Sequence, residues 1–117
     1  MSLPLTPNRV AAVYEMLRSF PPFSGWVLPE ADEVKFTVNR HHNWMASHQG
    51  GPTQHICVSV HLVGHMDTLV RVVAHEMVHM RQYLAREETP ASTHNADFRK
   101  KAAVICKYFG FDPRLFV

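Results

Sequence analysis

Cysteine is scarce in this chain: its 117 residues include only Cys57 and Cys106. Two thiols build no disulfide framework, and both lie in apolar runs that suit small buried side chains. Long hydrophobic runs are missing too. None approaches the roughly 20 residues needed to span a bilayer, so no membrane partner is expected. The N-terminus lacks the charged start and apolar stretch of a secretory signal, and the expected location is the cytoplasm. There is no excess of one charge sign, since 12 Lys and Arg against 10 Asp and Glu leave +2. That is too little to imply nucleic acid by itself. Repeats and low-complexity segments are absent. A composition of 46% hydrophobic and 19% charged residues excludes intrinsic disorder. The chain reads as one domain, residues 1–117, with one core.

Histidine is abundant, with nine residues, and two of them organise the chain. Val72 to Met80 contains the pattern His75-Glu76-Met77-Val78-His79 on a helical periodicity. Histidines four apart stack on one helical face, about 6 Å apart along the axis. Both imidazoles can then reach one metal ion from rigid backbone. Glu76 follows the first of them and projects beside the metal. There it is placed to take a proton from a zinc-bound water whose pKa is lowered to about 7. The pattern supplies two ligands and a base for metal-assisted hydrolysis.

Catalytic zinc takes a third protein ligand and leaves one position open. The extended metzincin pattern would need glycine and histidine where Gln82 and Ala85 stand, and is rejected. Glu87 and Glu88 follow too closely to come from a returning helix. His94 comes after the breaker-rich Thr89-Pro90-Ala91-Ser92-Thr93, at the start of a new helical pattern. A helix turning back across that loop can aim His94 at the same metal, and a helix N-terminus keeps the imidazole neutral. The expected centre is one zinc per chain held by His75, His79 and His94. Asp97, one turn further on, is either a partner that orients a ligand imidazole or a first-turn acid favoured by the helix dipole. Tyr83 is either an oxyanion donor or a packing residue.

From His75-Glu76-Met77-Val78-His79 through the loop to His94-Asn95-Ala96-Asp97-Phe98, the chain resembles the core of the SprT-like zinc metallopeptidases. The Spartan proteases of DNA–protein crosslink repair belong to that group. The family pattern opens the second helix with His-Gly-x-x-Phe. Asn95 stands at the glycine, and Phe98 keeps the aromatic. The likeness covers roughly residues 34 to 110. It implies a zincin-like fold, a protein or peptide substrate, and DNA as a partner that stimulates cleavage.

The remaining pattern predicts an α+β fold. Thr6-Pro7 opens an N-terminal helix, with Val10, Val13, Tyr14, Leu17 and Phe20 at helical spacing and Pro21-Pro22 as its stop. Val34, Phe36 and Val38 alternate as a first strand, 43–48 suggest a second, and Ile56, Val58, Val60 and Leu62 a third. The expected sheet is antiparallel, of three to four strands, with a hairpin around Gly50-Gly51. If a hairpin edge borders the metal, an extended peptide can add to it as a strand. Asp67 is read as the cap of the central helix, with Leu69, Val73, Met77, Met80 and Leu84 as its apolar stripe. The last helix runs from about His94 to Tyr108, packs through Phe98, Ala102, Ile105 and Phe109, and stops at Gly110. His41, His42, His48, His55, His61 and His65 crowd the sheet region without ligand spacing, and read as strand or surface residues.

The function expected from these features is zinc-dependent hydrolysis of peptide bonds, with Glu76 as general base. The alternative is a catalytically silent, zinc-stabilised module that binds protein or DNA. Oligomeric state and specificity leave no trace in the sequence.

Overall fold

The computed structural model describes residues 5–88 and 94–116. Helix α1 spans Pro7–Arg18. Thr6 closes its N-terminus by accepting the Arg9 amide on its hydroxyl at 3.2 Å. Val10, Val13, Tyr14 and Leu17 are buried along one side, while Phe20 falls beyond the helix and is partly exposed. Two short 3₁₀ turns lead into a three-stranded sheet: β1 (Val34–Asn39), β2 (Ala46–Gln49) and β3 (Gln54–Ser59). Then follow α2 (Met66–Ala85), α3 (Ala96–Phe109) and the short α4 (Pro113–Phe116). No helix among the described residues is long and apolar enough to cross a membrane.

The fold is α+β, but the sheet is mixed rather than antiparallel. Its order is β1-β3-β2. The hairpin through Gly50-Gly51 pairs β2 with β3 antiparallel, Ala46 opposite Val58 and Gln49 opposite His55. β1 lies on the other side of β3 and runs parallel to it, Phe36 opposite Ile56 and Val38 opposite Val58. Alternation could not distinguish these arrangements, because side chains switch faces every residue in either strand direction. As the central strand, β3 is buried on both faces, with Cys57 and Ser59 as well as Ile56 and Val58. It ends at Ser59, so Val60 and Leu62 are not part of it. β2 is an edge strand that packs against α2.

Two expectations for α2 are corrected. Its N-cap is His65, which makes no side-chain cap. Asp67 lies inside the first turn and accepts the Thr68 amide, a position the helix dipole favours for an acid. The stripe Leu69, Val73, Met77 and Met80 is fully buried, but Leu84 is 44% exposed. In its place Gln82 turns inward and is fully buried. α3 begins two residues later than expected, with Asn95 as its cap accepting the Phe98 amide at 3.0 Å. It ends at Gly110, whose left-handed φ of 77° suits glycine. Most of the buried apolar residues join one cluster between α1, the sheet and α2–α4. Both cysteines are buried free thiols.

Candidate metal centre

α2 carries His75 and His79 on the face away from its apolar stripe, and the segment leading into α3 brings His94 against them. The Nε2 atom of His79 lies 3.1 Å from Nε2 of His75 and 3.0 Å from Nε2 of His94. Tetrahedral zinc with Zn–N bonds of 2.0–2.1 Å sets its ligand nitrogens about 3.4 Å apart. His79 thus stands from each of its two neighbours at nearly the spacing one ion requires, and all three residues have their ligand atoms within 4.8 Å of one another. They are the only histidine-containing group among the described residues whose ligand atoms gather this closely.

Burial keeps two of the three imidazoles neutral, the form a metal ligand requires. Burial pushes the His79 pKa down to about 3, helped by the neighbouring imidazoles. Burial likewise lowers that of His75 to about 4, against a hydrogen bond to Phe116 that favours the charged form. Both rings are neutral at pH 7. His75 donates from Nδ1 to the Phe116 backbone carbonyl, which turns the Nε2 lone pair toward the cluster. Ring nitrogens gathered this closely need a proton or a cation between them, and the neutral form is the one that ligates a metal. The donor set thus fits zinc, with three imidazole nitrogens and room for a fourth ligand.

Phe98 is the floor under the site. It is fully buried and stacks on His94 at a centroid distance of 4.4 Å and on His79 at 4.9 Å. His75 meets the same ring edge-on at 5.0 Å. One apolar platform therefore orients all three rings and keeps water from beneath them.

Glu76 is buried, yet it lines both clefts that flank the histidines, of about 390 and 310 Å³. Desolvation pushes its pKa up to about 8. In the absence of a nearby cation it holds a proton at pH 7, and a positive charge beside it would restore the carboxylate. Ala46 at the start of β2 borders both clefts. The edge strand thus lies along the site, as strand addition would require.

Asp97 and Tyr83 have other partners. Asp97 accepts from Gln82 Nε2 at 3.1 Å and from Lys101 Nζ at 2.6 Å, so its carboxylate is engaged by these two rather than by a ligand imidazole. The Tyr83 ring packs against Gly50 and meets His48 edge-on at 5.9 Å. It is absent from the lining of both clefts. Of the six other histidines, His48 lines the smaller of these two clefts, and it is hydrogen-bonded to Gln54 at 2.7 Å. His55 bonds Thr37, His41 accepts the Asn43 amide, and His42 packs against His61.

Sequence reasoning missed Phe116, which holds His75 from 41 residues away. One local signal was present. Asp112-Pro113 has the same acceptor-then-proline form as Thr6-Pro7, and Asp112 does accept the Arg114 amide. Comparison of the chain with protein-family models, curated proteins and solved structures finds no match.

Proposed function

We propose that this protein is a zinc-dependent metallopeptidase with a zincin-like fold, of the kind its SprT-like sequence pattern implies. The observation that carries the reading is the convergence of three Nε2 atoms at 3.0 and 3.1 Å next to a buried glutamate that reaches the same clefts. His75, His79 and His94 would hold the ion. Bound zinc supplies a Lewis acid that polarises a carbonyl and makes water acidic enough to deprotonate near neutral pH.

The chain's own residues account for the rest. Glu76 accepts the proton of the attacking water and returns it to the departing amine. Its burial strengthens its electrostatic interactions with the site and leaves its carboxyl poised near neutral pH. Phe98 and the Phe116 carbonyl keep the imidazoles in place. The edge of β2 offers main-chain hydrogen bonds to an extended substrate, with two clefts beside the histidines for its side chains.

Glu76→Gln tests the proposal, because it keeps size while removing the base. Zinc content should stay near that of the wild type while hydrolysis of an unstructured protein falls by about 10² to 10⁴. The assay should run with and without single-stranded DNA, since the resemblance implies DNA stimulation. Zinc-loaded wild type that cleaves nothing in either condition would replace this reading with the silent, zinc-stabilised binding module. Equal cleavage by both proteins would remove Glu76 from its role.

A further inference from the structure

The two clefts beside the histidines differ in charge. The larger contains Arg71 and Arg114 among Met45, Val72 and Leu115. The smaller contains Glu88 and has no lysine or arginine in its lining. Arg71 precedes His75 by one helical turn on the same face of α2. One of its guanidinium nitrogens donates to the Leu115 carbonyl at 2.6 Å, which anchors the side chain beside the cleft. A guanidinium has five N–H donors in a planar fork, and no carboxylate among the described residues forms an ion pair with Arg71. Arg114 is different. Asp112 holds it at 3.2 and 3.0 Å, and its side chain is 89% exposed.

We propose that the Arg71 end of the larger cleft takes a carboxylate of the substrate, an acidic side chain or a free C-terminus; the inference rests on the peptidase reading. Guanidinium recognises carboxylate through paired, charge-assisted hydrogen bonds. The apolar walls from Met45, Val72 and Leu115 strengthen that attraction by lowering the local dielectric. The four residues from Arg71 to His75 rise about 6 Å along the axis, and an extended chain advances about 3.3 Å per residue. The recognised carboxylate therefore lies within about two residues of the scissile bond. Glu88 in the smaller cleft disfavours an acidic group there.

The test uses zinc-loaded Glu76→Gln protein, so that binding is read without turnover. One pair of short fluorescent peptides carries Glu or Gln and an amidated end. A second, neutral pair differs only in a free or amidated C-terminus. Within at least one pair the carboxylate member should bind about tenfold tighter, and that pair identifies the source. The preference should shrink as salt rises. Arg71→Gln, which keeps an N–H for the Leu115 carbonyl, should abolish it, and Arg71→Glu should favour a Lys peptide instead. Should Arg71→Glu fail to fold, Arg71→Gln and the salt series still decide. Equal binding within both pairs, no binding by any peptide, or a preference that survives Arg71→Gln overturns the proposal. Cleavage of the same peptides by wild type is scored apart. Preference without cleavage defeats the peptidase reading and keeps the carboxylate site, and cleavage without preference does the reverse.

Discussion

Gln82, fully buried in α2, donates its side-chain amide to Asn95 at 3.0 Å. The same nitrogen reaches Asp97 at 3.1 Å, and Asn95 in turn donates to the Glu87 carbonyl at 3.0 Å. The two ends of the segment that carries His94 are thereby tied to the helix that carries His75 and His79. Gln82→Leu should leave Asn95 and Asp97 without this donor and cost about 1–3 kcal/mol of stability. It should also weaken zinc binding by about tenfold, as expected for a residue that positions a ligand. Denaturant unfolding and competition with a zinc-binding dye measure the two effects. Unchanged zinc affinity would restrict Gln82 to a packing role.

Removing the metal should loosen the fold. A ligand present at 100 times its dissociation constant stabilises by about 2.7 kcal/mol, so a chelator should lower the melting temperature by roughly 10 °C in a domain of this size. His94→Ala should lose most of the zinc and show little further response to chelator. Full zinc retention in that variant would assign the third ligand elsewhere.

The metal-free protein should be most stable near pH 6.5. His75 and His79 stay neutral in the folded chain down to about pH 4 and 3, whereas unfolded histidine charges near 6.5. Between those limits the unfolded state binds more protons, so stability rises with pH. Glu76 acts in the opposite sense, because its folded pKa of about 8 exceeds the ordinary 4.5. From 4.5 to 8 the folded state holds the extra proton, and stability falls as pH rises. Two histidines outweigh one glutamate on the acid side, and above 6.5 the glutamate acts alone. Melting temperatures of chelator-treated protein across pH 4–9 should therefore peak, and Glu76→Gln should flatten the alkaline limb. Stability still climbing through pH 8 in the wild type would refute this balance.

Tyr83→Phe should change hydrolysis by no more than about twofold, because the ring packs on the Gly50 turn. Loss of an oxyanion donor would instead cost about 10²–10³. A Cβ at Gly50 would lie 2.4 Å from the Tyr83 ring. Gly50→Ala should therefore push that ring outward, at a cost within about 1 kcal/mol, since the side chain is already 41% exposed. A hundredfold activity loss in Tyr83→Phe would make Tyr83 the oxyanion donor after all.

The sequence by itself determined the features that arise within one element. Helical spacing placed His75 and His79 on one face, and Thr6-Pro7 and Gly110 marked helix ends through their own backbone preferences. The pairing of β2 with β3 was legible because a short glycine turn leaves only the antiparallel option. Tertiary structure decided the rest. The parallel run of β1 beside β3 depends on which edge of β3 was free, and alternation carries no information about that. Leu84 was drawn outward and Gln82 inward because the partners of Gln82, Asn95 and Asp97, arrive from 13 and 15 residues away. The same holds for Phe116 behind His75, and for Arg71 beside the cleft with its anchor on Leu115, 44 residues on. A period in the chain reports which face a residue shares. Only packing reports what lies opposite it.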